Sequence, residues 1–372
     1  MGTIASLKNK TAVLFMGFGF LLVFLLTSCS EVNEETPPAL APEPGDTQLN
    51  LALLQFGPYY TGRSTLEFVD TSRNNRSVNT TLFYPALSEG RESQLYIAKD
   101  SEPDFTGAPY PTILSSTKVA RIFAPYLVSH GFTWIGVNDI DTYMKLSDEI
   151  YQQPLDLLFA LNQVAETPPA FLADMVNTDV VGSIGYSFDG NNSLTLSGAR
   201  IDSSLYLSYC ADPDNIPDWG SMSCFTCDVA QNWDLFISDA EKIITINDDG
   251  IWQALTDQRI KAFMPLATEG YWLFDFRLID RPILMISGLE DPLYTENTLI
   301  FKDLPVKEKS FITILNEGHM MIFDSDIVAQ LAFFATAFFG THLQGNEIYQ
   351  EFLSEDYLSN LEGYQWGIIN EE

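Results

Sequence analysis

The chain has 372 residues and a formal net charge of −31, because 50 acidic side chains outnumber 19 basic ones. A surface this acidic excludes nucleic acid as a partner, and it excludes anionic lipid head groups bound through the general electrostatic field. The length allows one large α/β domain with its own core.

The first 28 residues form a targeting segment. Lys8 and Lys10 provide a short basic region, residues 11–26 are apolar but too few for a comfortable transmembrane span, and small residues precede Cys29. The pattern resembles a bacterial lipobox. The resemblance implies cleavage before Cys29, acylation of that cysteine, and a mature protein held at a membrane surface outside the cytoplasm. An uncleaved anchor that ends by chance in Ser-Cys is the alternative.

Three further parts are predicted after the signal peptide. Residues 29–55 are rich in Glu and Pro and poor in apolar side chains, so they are predicted to be a flexible tether. Residues 56–345 contain no obvious linker and are predicted to form one domain. Residues 346–372 are predicted to be an acidic C-terminal tail.

Strand-like and helix-like runs alternate through the domain, which predicts the α/β class with a mostly parallel central sheet flanked by helices. The predicted strands are residues 65–69, 80–84, 112–115, 133–137, 180–184, 260–267, 283–286 and 311–315. The predicted helices include residues 123–128, a segment that begins at Pro154, and residues 188–200 and 327–339.

A serine stands where the strand at residues 180–184 passes into the next helix. The segment Gly185-Tyr186-Ser187-Phe188-Asp189 follows that strand directly. A serine on such a strand-to-helix turn has its hydroxyl pushed out of the backbone, as in the nucleophile elbow of α/β-hydrolases. For an isolated Gly-x-Ser, capping of the following helix would be the preferred explanation.

The regular alternation stops at residues 201–255, which contain several aromatic side chains and three cysteines. An irregular insertion at this point would hang over Ser187, so the segment is predicted to be a lid. Trp219, Phe225 and Trp233 are available to line an apolar acyl site beneath it.

Two further polar side chains follow later strands. Asp291 lies in a turn after residues 283–286, and His319 lies in a turn after residues 311–315. The order Ser, Asp, His, with each residue at a strand end, matches the chain order of the α/β-hydrolase triad. Ser187, Asp291 and His319 are therefore the predicted catalytic residues.

Several segments together resemble the bacterial branch of hydrolases related to dienelactone hydrolase and to plasma-type platelet-activating-factor acetylhydrolase. The turns at Asp291 and His319 belong to this set, with residues 68–73, 82–86, 110–114, 128–132, 185–190 and 257–262. The resemblance covers about residues 57 to 345. It implies an α/β-hydrolase fold and the hydrolysis of esters, and no metal or organic cofactor is predicted.

Ester hydrolysis requires a nucleophile, a base, an acid that orients the base, and donors for the oxyanion. Ser187 would attack the carbonyl, His319 would take its proton and pass it to the leaving alcohol, and Asp291 would fix the tautomer of the histidine. The predicted oxyanion donors are the backbone amide of Phe188 and one from residues 118–119.

The chain departs from the family pattern at two places. Asp189 occupies the fifth position of the elbow, where relatives have a small residue, and Gly190 follows it. Residues 115–119 read Ser-Ser-Thr-Lys-Val where relatives have His-Gly. The second oxyanion donor is therefore predicted to be Lys118 or Val119.

The acid has two competitors. In the plasma-type acetylhydrolases, the resemblance places the acid after the strand that matches residues 260–267, where this chain has Thr268-Glu269 and no aspartate. Glu269 and Asp212 are the alternatives to Asp291.

Besides Cys29, the chain has three cysteines, Cys210, Cys224 and Cys227. Cys210 directly follows a strand-like run at residues 205–209. No fourth zinc ligand is close in sequence, so one disulfide with one free thiol is predicted in an oxidising compartment. A bridge from Cys210 to Cys224 or Cys227 is favoured, because pairing of Cys224 with Cys227 requires special backbone geometry. Such a bridge would hold the lid in place.

Together these features predict an extracytoplasmic serine hydrolase that acts on small or lipid-derived carboxylic esters and is anchored to a membrane by its lipid. A peptidase or a dienelactone-type hydrolase is the nearest alternative. An alternative of a different class is a lipoprotein that keeps the fold, has lost activity, and binds a ligand or partner under the lid. The altered loop at residues 115–119 favours that alternative.

Overall fold

The structure is a computed structural model that describes residues 53–140, 145–212 and 227–369. Its strands are β1 Tyr60–Asp70, β2 Arg76–Ala86, β3 Ala98–Lys99, β4 Tyr110–Ser116, β5 Thr133–Val137, β6 Val176–Tyr186, β7 Arg200–Ile201, β8 Ile260–Leu266, β9 Phe274–Asp275, β10 Ile283–Gly288, β11 Lys309–Ile314 and β12 Tyr364–Trp366. Its helices are α1 Thr117–Ser129, α2 Glu149–Glu166, α3 Phe188–Ser197, α4 Ser203–Ala211, α5 Trp233–Ala240, α6 Tyr294–Asp303, α7 Ser325–Gln344 and α8 Glu355–Leu358.

Ten strands form one sheet in the order β12-β11-β10-β8-β6-β4-β5-β2-β1-β3. The adjacent strands β5, β4, β6, β8, β10 and β11 run parallel. Antiparallel pairing occurs toward the two edges, where β2 joins β5, β1 joins β2, and β12 joins β11. The α/β class with a mostly parallel central sheet is therefore confirmed.

The core lies on both faces of this sheet. Neighbouring strand residues alternate between two apolar clusters, as Ile113 and Leu114 in β4 show, because successive side chains point to opposite faces of a strand. Helices α1 and α7 pack in one cluster, and α2 and α3 contribute to the other. Helix α7 is long and apolar enough to cross a membrane, but 56% of its apolar window is buried within the protein, as expected of a core helix.

Two local predictions were wrong. Helix α2 begins at Glu149, so Pro154 lies in its second turn rather than its first. The strand-like run before Cys210 is helical, because the carboxylate of Asp202 caps α4 and accepts the backbone N–H groups of residues 204 and 205, each at 3.0 Å.

The C-terminal segment is part of the packed domain as far as residue 369. Strand β12 extends the sheet beside β11, and Phe352, Leu353 and Leu358 are buried. At the other end, Leu53 is buried in the core, although residues 29–55 were predicted to be tether. Single apolar side chains among many acids are therefore sufficient to bring residues 346–369 onto the domain.

Candidate active site

Ser187 lies at the turn between β6 and α3, and its backbone has φ 57° and ψ −121°. A positive φ is costly for a residue that carries a Cβ, so the surroundings must hold it. The Ser187 N–H donates to the carbonyl of Leu266 at 2.9 Å, which ties the turn to β8. A Cβ on Gly185 would lie 1.8 Å from the backbone oxygen of Asp189, so this close contact requires glycine.

His319 stands beside the serine. The distance between Ser187 Oγ and His319 Nε2 is 2.9 Å, and His319 is 9% exposed. His319 follows β11 in a turn that touches the turn after β10. The Glu290 N–H donates to the Glu317 carbonyl at 2.9 Å, and a Cβ on Gly288 would lie 2.1 Å from the same oxygen. The two turns are therefore fixed relative to each other.

Asp291 contacts the other nitrogen of the imidazole. The distance between His319 Nδ1 and Asp291 Oδ2 is 3.0 Å, and the side chain of Asp291 is fully buried. Its second oxygen, Oδ1, accepts the Leu293 N–H at 2.8 Å. Both carboxylate oxygens thus have a partner, and the imidazole is held with Nδ1 toward the acid and Nε2 toward Ser187.

The ring of Tyr186 lies against the imidazole of His319. Their centroids are 5.4 Å apart with an interplanar angle of 30°, a stacked arrangement. The Tyr186 hydroxyl is buried and has no hydrogen-bond partner among the described residues. Burial and the charge of Asp291 raise the pKa of Tyr186, so the phenol stays neutral. Sequence analysis did not single out this residue, although its position directly before the serine was visible.

The turn between β4 and α1 contains the predicted second oxyanion donor. Ser116 is the N-cap of α1, and its Oγ accepts the Val119 N–H at 3.2 Å. The amide of Val119 is thus engaged in the helix cap, which favours Lys118 of the two predicted donors. Lys118 and Phe188 each lie in the first turn of a helix, Lys118 in α1 and Phe188 in α3.

The competing acids lie elsewhere. Glu269 is buried in the loop after β8, and its backbone N–H donates to Asn191 Oδ1 at 3.1 Å. Asp212 is exposed at the C-cap of α4. The carboxylate that the structure places against His319 is that of Asp291.

Cys210, in the last turn of α4, forms a disulfide with Cys227. Cys224, Trp219 and Phe225 lie outside the described residues, as does Cys29. Trp233, predicted to line an acyl site, is instead 5% exposed. Its ring packs against other aromatic side chains, and the centroid distances are 4.8 Å to Tyr206, 5.2 Å to Phe236 and 6.5 Å to Trp252.

The described residues contain no group of three or more His, Cys, Asp or Glu side chains that could hold a metal ion. The candidate site consists of the Ser187 hydroxyl, the His319 imidazole and the Asp291 carboxylate, joined by two hydrogen bonds. In comparisons with known proteins, no family model and no curated protein matches the chain. The geometry of the site is therefore the basis for a functional conclusion.

Proposed function

We propose that the protein is a serine hydrolase with an α/β-hydrolase fold that cleaves carboxylic esters through an acyl-enzyme. The observation that carries the proposal is the pair of hydrogen bonds from Ser187 Oγ to His319 Nε2 and from His319 Nδ1 to Asp291 Oδ2, at 2.9 and 3.0 Å. A nucleophile, a base and an orienting acid in contact are what acyl transfer requires. The positive φ of Ser187, at the end of a central parallel strand, supports the same proposal.

In the proposed reaction, His319 Nε2 takes the proton of Ser187 Oγ while Oγ attacks the ester carbonyl. The amides of Phe188 and Lys118 would stabilise the negative charge that develops on the carbonyl oxygen. When the tetrahedral intermediate collapses, the proton passes from Nε2 to the departing alcohol and the acyl group remains on Ser187. Water then gives a proton to His319 Nε2 and attacks the acyl carbon. The bond to Ser187 Oγ breaks, the proton passes from Nε2 back to Oγ, and the acid leaves, while Asp291 keeps Nδ1 protonated.

The proposed substrates are small or lipid-derived esters, and the proposal includes no metal or organic cofactor. We further propose that Cys29 is acylated and tethers the protein to a membrane outside the cytoplasm, with residues 201–255 as the lid. The disulfide between Cys210 and Cys227 would close a loop within this lid. Its 17-residue separation corresponds to about 3 kcal/mol of stabilisation by chain entropy.

The test is labelling by a fluorophosphonate probe together with the hydrolysis of p-nitrophenyl esters of two, four and eight carbons. Wild-type protein should label once and turn over, and Ser187→Ala should do neither. Ser193→Ala is the matched control, because this serine lies in the same helix and its hydroxyl donates to the Ser183 carbonyl at 3.3 Å. Labelling that persists in Ser187→Ala would contradict the proposal.

The same experiment separates the alternatives. Faster cleavage of p-nitroanilides than of esters would indicate a peptidase, and selective cleavage of a dienelactone would indicate that enzyme class. A folded protein that neither labels nor turns over would indicate a binding protein, the alternative that the altered turn at residues 115–119 favours.

A further inference from the structure

The side chain of Asp189 is the departure from the elbow pattern that the proposed chemistry leaves unexplained. It is 6% exposed, and its carboxylate accepts hydrogen bonds from uncharged donors. Oδ2 accepts the Ser116 N–H and Oδ1 accepts Nδ2 of Asn192, both at 3.1 Å. Burial raises the pKa of this carboxyl, although these hydrogen bonds and the charge of Lys118 act in the opposite direction.

Packing of the elbow does not need this carboxylate. The close contact of strand and helix is made by the backbone of residue 189 against Gly185. A second close approach is made by Gly190, where a Cβ would lie 3.1 Å from the Leu266 carbonyl oxygen. Alanine at position 189 would leave both contacts in place and would avoid the desolvation of a buried carboxylate. The free-energy cost of burying this carboxylate must therefore be offset by the hydrogen bonds that it accepts.

The side chain holds the turn between β4 and α1. The hydrogen bond from Ser116 to Asp189 joins residues 73 positions apart in the chain. On its other side, the same turn is tied to the end of β5, where Thr117 Oγ1 donates to Asn138 Oδ1 at 2.6 Å. The turn is thus fixed between the end of β5 and the elbow, and Asp189 forms the connection on the elbow side.

We propose that Asp189 is a positioning residue that sets the separation of the two oxyanion donors. It lies one residue after Phe188 and binds the amide two residues before Lys118, so it couples the two helix starts that carry the donors. This inference rests on the proposed function. The bound ester carries no oxyanion, since the negative charge develops in the transition state and in the tetrahedral intermediate. Loss of the coupling therefore lowers kcat and leaves KM nearly unchanged.

The first experiment compares Asp189→Ala with Asp189→Asn. Both variants lose the charge, and with it any stabilisation of the α3 dipole, but only alanine lacks an oxygen to accept the Ser116 N–H. Asp189→Ala should lower kcat about 10²-fold, the effect of losing one oxyanion donor, with little change in KM. Asp189→Asn should retain most of the activity, because it can keep the hydrogen bond. Thr195→Val is the matched control, since this buried hydroxyl in the same helix has no hydrogen-bond partner among the described residues.

The second experiment is a double-mutant cycle with Ser116. Ser116 has φ −66°, which proline adopts, so Ser116→Pro removes the N–H that Asp189 accepts without forcing the backbone. Ser116→Ala removes the hydroxyl, which caps the helix and also bonds to Asp189, and it keeps that N–H, so it measures the hydroxyl separately from the amide. If Asp189 acts through this amide, Ser116→Pro and Asp189→Ala should be strongly non-additive in kcat.

The outcomes are distinct. Equal kcat values for Asp189→Ala and wild type, equal losses for the alanine and asparagine variants, or additive effects in the cycle overturn the role of Asp189 and leave the proposed function standing. A wild-type protein that neither labels at Ser187 nor hydrolyses esters overturns both. Amide hydrogen exchange at residues 115–119 should be faster in Asp189→Ala than in Asp189→Asn, and equal rates count against the inference.

Discussion

The turn after β10 and the turn after β4 both end central parallel strands, but they are held in different ways. The carboxylate of Asp291 is oriented locally, by the N–H of Leu293 two residues further on. The turn at Ser116 is held on one side by Asp189, which is 73 residues away. The first arrangement is specified by neighbouring residues, and the second depends on a distant residue that the fold brings close.

The largest expected effect is at the locally held turn. Asp291→Asn should lower kcat by about 10³- to 10⁴-fold with the fold retained, because the imidazole loses the acceptor that sets its tautomer. Turnover of a p-nitrophenyl ester measures this. Glu269→Gln is the matched control, since it changes a buried carboxylate after β8 and should have a far smaller effect. The reverse result would place the acid after β8.

The next effect tests the distantly held turn. Lys118→Pro removes one backbone N–H from the first turn of α1, a region where proline is tolerated. It should lower kcat about 10²-fold at similar KM if that amide binds the oxyanion. Lys118→Ala keeps the backbone N–H, so its kcat should fall far less than that of Lys118→Pro. Thermal unfolding of both variants checks that α1 persists, and similar kcat values for the two would exclude Lys118 as a donor.

A smaller effect is expected at the ring that supports His319. Tyr186→Leu should lower kcat about tenfold, because the stacked face that holds the imidazole is lost. Tyr186→Phe keeps the face and removes a buried hydroxyl without a partner in the described structure, so it should retain activity and be at least as stable as wild type. Kinetics and urea unfolding of the pair measure both effects. A large loss in the phenylalanine variant would assign a role to the hydroxyl.

The smallest effect concerns stability against pH. Because burial raises the pKa of Asp189 above its ordinary value of 3.8, the folded state holds its proton more tightly than the unfolded state. This group contributes its full stabilisation when the pH is below 3.8, and the stabilisation is lost as the pH rises through the raised pKa of the folded state. Urea unfolding from pH 4 to 8 should show wild type losing stability relative to Asp189→Asn as pH rises. A constant difference would contradict the direction of the shift.

Local patterns were sufficient to predict much of the sheet and the order of the candidate site residues. The strands near residues 180 and 311 are short apolar runs, and the turns that hold Asp291 and His319 follow such strands directly. Ser187 could be found because five consecutive residues, 185–189, define its strand-to-helix turn. In each case the structure depends on neighbours in the chain.

Contacts between distant segments could not be predicted in the same way. The position of Asp189 in the elbow was visible in the sequence, but its acceptance of the Ser116 N–H depends on how β4 and β6 pair. Residues 205–209 were predicted to be a strand but lie in helix α4. The Asp202 cap that starts this helix outweighs their preference for a strand. Strand β12 was missed because a three-residue edge strand has too short a pattern to be recognised.

The position of β12 has a consequence for the order of events during synthesis. Residues 364–366 close the outer edge of β11, Gly367 accepts the hydroxyl of Thr313, and the Ile369 N–H donates to the Tyr294 hydroxyl, both at 2.8 Å. The ribosome adds these residues after all three proposed catalytic residues. Until then, the strand that leads to His319 has an open edge that can pair with another chain. A chain that stops near residue 345 would keep every proposed catalytic residue and still expose this edge, so it should aggregate instead of accumulating as active protein.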